Sequence, residues 1–313
     1  MDYVTVIGGA NIDIHGFSEK PLVMGDSNPG RIANCSGGVG RNIAENLARL
    51  GVDVKLISVI GNDAFGAQIV REGEAAGIDL SHSLFLKTGT SVYLALMDNR
   101  GEMALALSDM RNLEKLDAAY LKKKKALIAG SKIIVLDANL GEEALQYLVS
   151  AFKDRPLFLD PVSSLKAKKI KPLLGNFDTL KLSRLEAAVL SGLDIDTQKK
   201  NLQKIGAWFI EQGVKRVLIT LGKDGIFCHS QREHFFRPVH YVEALSASGA
   251  GDAFMAGIVY GTLNQYHDDE IAEFASTLST LTVQSVRTVS EKISVRNIKS
   301  LIKKSRKNAE EKK

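Results

Sequence analysis

From about residue 112 onward, short apolar runs alternate with amphipathic stretches, and this alternation constrains the fold more than any other feature of the sequence. The apolar runs predict strands at residues 133–136, 157–159, 179–182 and 216–220. The amphipathic stretches predict helices at residues 142–152, 185–190 and 202–212. Strands and helices that alternate in this way build a mostly parallel sheet with helices on both faces. The sequence therefore predicts an α/β fold.

Two segments of the N-terminal half, residues 16–35 and 91–107, do not follow this alternation. The first is rich in turn-forming residues, and the second alternates like an antiparallel hairpin around residues 98–101. We interpret both as a small β lid on one main domain of residues 1–302, followed by a basic C-terminal tail at 303–313. Further predicted elements are strands at 4–7 and 52–60 and helices at 37–50, 66–76, 118–129 and 253–263.

Composition excludes several classes of protein. The formal net charge is +5, but the last eleven residues hold six Lys or Arg and two Glu, so the body is nearly neutral and we expect no nucleic-acid partner. No apolar run is long enough to span a membrane, and the N-terminus lacks a signal-peptide pattern, which predicts a cytoplasmic protein with no membrane partner. Cys35 and Cys228 are far apart and indicate neither a disulfide framework nor a zinc site.

A glycine-rich segment at residues 246–252, SASGAGD, precedes a predicted helix. Small residues let the start of a helix approach a ligand closely, and its free N–H groups favour an anion. Asp252 could accept a proton from an attacking hydroxyl group there, while the backbone of Gly249, Ala250 and Gly251 stabilises a transferring phosphoryl group. Asp is also a preferred N-cap residue, so an ordinary helix cap is the alternative on spacing alone.

A second glycine-rich helix start lies at residues 36–42, SGGVGRN. It superficially matches the dinucleotide-binding pattern GxGxxG/A, which requires an apolar strand directly before the glycines. Residues 28–36 do not predict such a strand, and this disfavours an NAD-dependent oxidoreductase. Asn42 could instead hydrogen-bond a polyol, or it could cap its own helix.

Polar residues and glycines follow several predicted strands, where α/β sheets place their ligands. Asn11 and Asp13 share a face if the chain is extended, and they suit vicinal hydroxyl groups, although Asx turns explain them nearly as well. Glu186 could orient Mg²⁺ through water, or it could only complement the dipole of its helix. The glycines of residues 220–225 could let the backbone approach a nucleotide, and a simple tight turn is the alternative.

Together these segments resemble the ribokinase-like (PfkB) family of carbohydrate and nucleoside kinases, from residue 3 to about residue 302. Four motifs in the family's order carry the resemblance: GGVGRN at 37–42, SRLE at 183–186, TLGKDG at 220–225 and SGAGD at 248–252. The resemblance implies a three-layer sandwich with a mostly parallel central sheet and a small β lid that closes over a sugar. It also implies ATP as the phosphoryl donor and Mg²⁺ as the cofactor.

The resemblance further implies a role for individual residues. Asp252 would be the catalytic base, and the backbone of Gly249, Ala250 and Gly251 would form the anion hole. Residues that would bind the substrate are Asn11, Asp13, Gly38, Asn42 and, as a weaker candidate, Asn139. Residues that would line the ATP site are Ser183, Thr220, Gly222 and Gly225, and Glu186 would act on Mg²⁺ through water.

Within the family, the similarity is greatest to the enzymes that phosphorylate pseudouridine. DSNPG at 26–30 and YLALMDNRGEM at 93–103 carry much of it, and both lie in the lid segments. We therefore expect phosphorylation of the 5′-hydroxyl group of pseudouridine. The alternatives are ribose, fructose or another nucleoside as substrate, and a nucleotide-sensing protein without catalysis. Lid candidates for recognising the base are Ser27, Asn28, Tyr93 and Asp109. Because lid strands expose edges that a second subunit could cover, we also expect a homodimer.

Three positions depart from the family pattern. Val39 replaces a lysine that is common in ribokinases, which removes a contact near the substrate and phosphates. Ser183 replaces a frequent asparagine, which removes one contact to the water around Mg²⁺ and phosphate. Ser246 replaces an aspartate that helps to bind a monovalent cation in related enzymes, so activation by K⁺ stays an open alternative.

Overall fold

The computed structural model describes residues 2–194, 199–239 and 242–310, and it contains a nine-stranded sheet between two helical layers. From edge to edge the strands are β15 (His234–Arg237), β14 (Ile226–Ser230), β13 (Arg216–Thr220), β12 (Thr179–Ser183), β11 (Leu157–Asp160), β10 (Ile133–Asp137), β1 (Val4–Ile7), β4 (Val54–Ile57) and β6 (Ile78–Asp79). All pairs are parallel except those of β14 and β15, which are antiparallel at one edge. The predicted α/β fold is confirmed.

Helices cover both faces of this sheet. They are α1 (Val39–Arg49), α2 (Ala64–Ala75), α3 (Ala118–Lys123), α4 (Lys125–Ala129), α5 (Glu142–Ala151), α6 (Ser164–Ala167), α7 (Arg184–Ser191), α8 (Lys199–Glu211), α9 (Ala250–Leu263), α10 (Asp268–Val283) and α11 (Val295–Glu310). Successive strand residues point to opposite faces, so Val6 joins the core formed with α1, α9 and α10, whereas Ile7 joins the core formed with α5, α7 and α8. Burial on both faces explains why these strands are continuously apolar.

The lid is a separate four-stranded sheet in the order β3 (Gly30–Gly37), β2 (Asn11–Ser18), β8 (Val92–Met97) and β9 (Met103–Asp109). The β8–β9 hairpin is confirmed, and the Asp98 carboxylate accepts the backbone N–H groups of Arg100 and Glu102 in its turn. The lid begins earlier than expected, since β2 starts at Asn11. It is also a mixed sheet, because β2 pairs in parallel with β8.

The strand predicted at residues 52–60 is wrong in extent, because the chain changes sheets at Ser58. The backbone N–H of Ser58 donates to Ser83 Oγ at 3.1 Å, so this residue leaves the ladder of β4. The following residues form β5 (Val59–Gly61), which pairs with β7 (Leu84–Leu86) in a small sheet of its own.

Two predicted helices and the predicted tail also differ in the structure. The helix predicted at 118–129 is divided into α3 and α4 at Lys124, whose φ of −99° and ψ of 6° are not helical. Helix α9 begins at Ala250, three residues before the predicted start at 253. Residues 303–310 of the basic tail continue α11, where Arg306 Nε donates to Glu273 Oε1 at 3.1 Å. No helix in the described part of the chain is long and apolar enough to cross a membrane.

Candidate active site

Asp252 lies in the first turn of α9, which packs at Gly251 against Lys181 of the central strand β12. The residue is only 8% exposed, and its Oδ2 accepts a 2.7 Å hydrogen bond from Nδ2 of Asn42 on α1. The N-cap of α9 is Gly249, which makes Asp252 the third helical residue. The alternative that Asp252 is an ordinary N-cap is therefore wrong, and its carboxylate is available for other contacts.

The environment of Asp252 makes it a stronger base than an exposed aspartate. Burial, together with the neighbouring charges of Asp160 and Asp137, raises the pKa of its carboxyl group from the usual 3.8 to about 7, although the Asn42 hydrogen bond and Lys181 oppose the change. A group that titrates near neutral pH combines a useful fraction of the ionised form with enough basicity to accept a proton. Asp252 thus fits the predicted role of general base.

The N-terminus of α9 contains the residues predicted to form the anion hole. Gly249 has a φ of 78°, and within the described residues no side chain caps the helix. A Cβ atom at this position would lie 1.9 Å from the carbonyl oxygen of Thr288, so only glycine fits. The N–H group of Ala250 donates to the carbonyl oxygen of Ala247 at 3.4 Å, and the N–H groups that follow it at the start of α9 lie beside Asp252, where a helix favours an anion.

A buried ion pair between Lys181 and Asp160 stands next to this helix start, and the sequence analysis missed it. Lys181 Nζ lies 3.0 Å from Asp160 Oδ2, and a Cβ atom on Gly251 would lie 2.5 Å from that nitrogen. Burial alone would lower the pKa of Lys181, but the carboxylates of Asp160, Glu186 and Asp252 outweigh it and raise the pKa. The signal in the sequence is a lysine between two leucines in the strand β12. Its ammonium group places positive charge beside the anion hole.

Asp137 is a second residue that the sequence analysis missed. It is fully buried at the end of β10, and its Oδ2 accepts the backbone N–H groups of Gly9 at 2.7 Å and Gly40 at 2.9 Å. Its Oδ1 accepts the N–H of Asn139 at 2.8 Å. One carboxylate thereby joins the loop after β1, the start of α1 and the loop after β10, which are the three segments that carry substrate candidates.

A strand does precede the glycines of α1, contrary to expectation. It is β3 of the lid, however, and its first five residues are exposed. The N–H group of Gly40 is also already bonded to Asp137. A dinucleotide site requires a buried parallel strand and a free helix start. Neither is present at this position of the described chain.

Of the candidates for substrate binding, Asn42 contacts Asp252, and Asp13 packs against Gly37 just before α1. Asn11 and Asp13 lie at the start of β2, and Asn11 Nδ2 donates to Asp13 Oδ1 at 2.6 Å. Burial raises the pKa of Asp13, although the hydrogen bond from Asn11 opposes the change. Gly38 has a φ of 97°, and a Cβ atom there would lie 2.5 Å from the carbonyl oxygen of Gly9. Asn139 Oδ1 accepts a hydrogen bond from Lys166 Nζ at 2.5 Å.

The four lid candidates lie in different settings. Tyr93 is in register with Asp13 on the neighbouring strand, so the two side chains share a face of the lid. Asp109 is in register with Val92, which places it on the opposite face, and it pairs with Arg111 at 2.8 Å. Ser27 is exposed, and Asn28 Oδ1 accepts the backbone N–H of Val23 at 2.8 Å within its own loop. Tyr93 is thus the lid candidate nearest to the substrate residues.

A cavity of about 400 Å³ lies next to the anion hole. Thr220, Gly222 and Gly225 line it together with Ala250 and Gly251, so the structure joins two of the motifs into one surface. Much of the remaining wall is apolar, including Ile226, Val242, Phe254 and Val283.

Ser183 does not line this cavity. Its side chain and that of Glu186 form a capping box at the start of α7, and Glu186 Oε2 accepts the Ser183 N–H at 2.6 Å.

The comparisons with known proteins identify the family. The model of the pfkB family of carbohydrate kinases matches residues 1–294. This chain belongs to that family. It is 36% identical to the pseudouridine kinase of Escherichia coli K12, and the match covers 96% of this chain and 96% of that protein. It is 34% identical to the uncharacterized sugar kinase YeiI of the same organism, and the match covers 96% of this chain and 84% of that protein.

A solved structure agrees with this assignment. The crystal structure of a putative sugar kinase from Clostridium perfringens is 34% identical and superposes with a TM-score of 0.88, covering 97% of this chain and 96% of that one. The family membership makes this chain a carbohydrate kinase by homology. It also confirms the ribokinase-like fold with a mostly parallel sheet and a separate small sheet.

Proposed function

We propose that this kinase transfers the γ-phosphoryl group of ATP to the 5′-hydroxyl group of pseudouridine. The observation that carries the proposal is the 2.7 Å hydrogen bond between Asn42 and Asp252, because it joins a substrate candidate directly to the general base. The 36% identity to a pseudouridine kinase over nearly the whole chain supports the nucleoside.

In the proposed step, the ionised carboxylate of Asp252 accepts the proton of the 5′-hydroxyl group. The 5′ oxygen forms a bond to the γ-phosphorus as the bond between that phosphorus and the β–γ bridging oxygen breaks, and ADP leaves with the electron pair. The N–H groups at Gly249–Gly251 and the ammonium group of Lys181 stabilise the negative charge on the transferring group. Positioning and electrostatics supply most of the catalysis in such a transfer.

The cavity beside the anion hole suits the nucleoside part of ATP. Its volume of about 400 Å³ and its apolar wall fit a purine, and Thr220, Gly222 and Gly225 lie along it. Ser183 would contribute from the neighbouring strand end.

Glu186 suits a magnesium ion held through water. One of its oxygens is engaged by the Ser183 N–H, and among residues 2–194, 199–239 and 242–310 no group of three His, Cys, Asp or Glu could hold a metal directly. When bound, Mg²⁺ would neutralise charge on the phosphates. Asn11, Asp13, Gly38 and Asn42 would meanwhile hold the sugar, with Asn139 at the edge of the site.

Base recognition is assigned to the lid. Tyr93 shares a sheet face with Asp13 and is the main candidate, while Ser27, Asn28 and Asp109 are secondary ones. A Tyr93→Phe variant keeps the ring and removes the hydroxyl group, so it should lower the preference for pseudouridine over uridine without removing turnover.

An ADP-release assay with Mg·ATP tests the proposal by comparing pseudouridine, uridine and ribose at equal concentrations. We expect a clear preference for pseudouridine. Equal or better turnover of ribose or uridine would contradict the substrate and retain the kinase, whereas no turnover of any acceptor would contradict the kinase reaction. Repeating the assay in potassium and in sodium salts tests activation by K⁺ at the Ser246 position.

A sugar kinase is the second candidate function. The 34% identity to a protein described as a sugar kinase favours it, and the same assay with ribose and fructose distinguishes the two.

The lid also supports a homodimer as part of the proposal. The face of the lid sheet opposite Asp13 and Tyr93 exposes Ile32, Leu96, Leu105 and Leu107. A second copy related by a two-fold axis would present the same apolar stripe and cover it.

A further inference from the structure

Arg41 is a buried arginine beside the active site to which no role has yet been given. It is the third residue of α1 and only 3% exposed. Its NH2 group donates to Asn42 Oδ1 at 2.5 Å, and its Nε donates to the carbonyl oxygen of Gly37 at 3.2 Å. The guanidinium group therefore lies against the side-chain amide that contacts the base.

Thr288 contacts the same amide from another part of the chain. Its Oγ1 lies 3.2 Å from Asn42 Oδ1 and 3.4 Å from the Arg41 NH2 group. Its carbonyl oxygen packs on Gly249, the cap of the anion-hole helix. Thr288 thus contacts both the amide that bonds to Asp252 and the helix start that carries Asp252.

These contacts decide which way the Asn42 amide faces. An amide has an accepting oxygen and a donating nitrogen at nearly equal positions, so its orientation depends on its neighbours. Arg41 has only donors, which attract the oxygen. The nitrogen is then directed to Asp252. A reversed amide would place two donors against each other and an oxygen against a carboxylate.

We propose that Arg41 and Thr288 are positioning residues that hold the Asn42 amide in the orientation that donates a hydrogen bond to Asp252. The inference rests on the proposed function, because it assigns the amide a role through the catalytic base. Arg41 acts through Asn42, and nothing requires it to touch substrate.

The cost of burying Arg41 supports a positional role. Its NH1 group pairs with Glu45 at 2.6 Å, and Arg49 pairs with the other oxygen of Glu45 at 2.8 Å. Buried ion pairs contribute little to stability compared with apolar residues of the same volume. The ion pair with Glu45 does, however, hold the NH1 group of Arg41 while the NH2 group contacts Asn42. The guanidinium group is therefore held in position without any contribution from substrate.

The consequence concerns the protonation of Asp252. The charged groups that face it are Asp160 on β11, Lys181 on β12 and Asp137 on β10, together with the amide of Asn42 on α1. Removing Arg41 leaves these three charged groups in place, but it removes its own charge and the Glu45 ion pair together with the contact that orients the amide, whereas Thr288→Val changes no charge. The carboxylate would then lose a hydrogen bond that favours its ionised form. The pKa of Asp252 would therefore rise.

The pH dependence of kcat/KM in Arg41→Met and Thr288→Val tests the proposal. We expect the acidic limb of the profile to shift to higher pH by about 0.5–1 unit in both variants. At a given pH on that limb, kcat/KM should then be about 3- to 10-fold lower than in the wild type. The rate should recover above the limb, because Asp252 ionises there in any case. Thr288→Ser keeps the hydroxyl group and should restore the wild-type profile.

Arg49→Met is the matched control, since it removes the other arginine on Glu45 without touching Asn42. A limb that stays in place in Arg41→Met and Thr288→Val, or that moves equally in Arg49→Met, would overturn the proposal. A uniform loss of rate at all pH values would also overturn it, because that result indicates general structural damage. If Arg41→Met does not fold, Thr288→Val and Thr288→Ser decide the question alone.

A titration without substrate separates this inference from the proposed function. The Asp252 carboxyl resonance, identified by its absence in Asp252→Asn, can be followed by carbon NMR in the wild type and in Thr288→Val. A higher midpoint in the variant supports the positioning role even if the substrate proves to be another sugar. Identical midpoints would contradict it even if pseudouridine is the substrate.

Discussion

The side-chain amide of Asn42 on α1 donates a 2.7 Å hydrogen bond to the carboxylate of Asp252 on α9, although the two residues are 210 positions apart in the chain. The two glycine-rich helix starts of the sequence are therefore parts of one site. Asp13 packs against Gly37 near the start of α1, and the cavity lined by Ala250 and Gly251 adjoins the start of α9. In the proposed function, Asp252 lies between the acceptor and the donor.

Replacing Asp252 by Asn should lower kcat by about 10²- to 10⁴-fold, because the amide cannot accept the proton of the hydroxyl group. The side chain keeps its size, so the dissociation constant of the nucleoside should change little. Steady-state kinetics and calorimetric titration measure the two quantities. Undiminished turnover would show that Asp252 is not the base.

The stability of the protein should also depend on Asp252 through pH. Its folded-state pKa of about 7 lies above the usual 3.8, so the folded state binds the proton more tightly. The resulting stabilisation is fully present below about pH 3.8 and is lost as pH rises through 7. Asp252→Asn has no carboxyl group at this position and does not lose this stabilisation as the pH rises. The unfolding free energy of the variant minus that of the wild type should therefore increase between about pH 5 and about pH 8.

Urea denaturation at the two pH values measures this difference. The matched control is the exposed Asp154→Asn, which removes the same formal charge from the surface. A difference between Asp252→Asn and wild type that stays constant over this pH range would contradict the raised pKa.

Gly249→Ala should disrupt the start of α9. The added Cβ atom would meet the Thr288 carbonyl oxygen, and an alanine at a φ of 78° costs a further 1–2 kcal/mol or so. We expect a clear loss of unfolding free energy together with a loss of turnover. Gly141→Ala is the control: Gly141 also caps a helix, but its φ is −65° and nothing lies within 4 Å of its Cβ position.

The control should change the unfolding free energy by less than about 1 kcal/mol and leave turnover intact. Thermal unfolding and the ADP-release assay provide both readouts. Equal effects of the two substitutions would indicate that the left-handed cap at Gly249 is not required.

Ala247→Trp should obstruct the cavity beside the anion hole, because Ala247 lines it. The expected result is a rise in the KM for ATP of about tenfold or more, which corresponds to about 1.4 kcal/mol of lost binding, with little change in nucleoside affinity. Leu245→Trp adds the same ring nearby at an exposed residue that does not line the cavity. If both variants bind ATP as the wild type does, the nucleotide occupies another site.

Leu107→Lys should convert the proposed homodimer into a monomer. Leu107 is 60% exposed on the apolar face of the lid, and a lysine there would place a charge in the contact between subunits. Leu185→Lys is the control, since Leu185 is 63% exposed but lies on α7, away from the lid. Light scattering measures the mass, and a wild-type protein that is already monomeric would contradict the dimer.

The sequence determined the layout of the fold and many candidates for the site. Continuous apolar strands such as β1 must be buried on both faces, which requires helical layers, and parallel strands bring their carboxyl ends to one edge. Residues placed after those strands or at glycine-rich helix starts therefore meet, as Asn42 and Asp252 do. These are consequences of periodicity and of local backbone chemistry, which a single sequence displays.

Only the tertiary structure decided the pairings between distant side chains. The Lys181–Asp160 ion pair, the bonds of Asp137 to two loops and to the start of α1, and the contact of Thr288 with Asn42 join residues that no periodic pattern relates. The point at which the chain leaves the central sheet, Ser58, likewise depends on its hydrogen bond to Ser83, which is 25 residues away. Such contacts arise because packing brings polar groups out of water, where each must find a partner, and the identity of that partner depends on the completed fold.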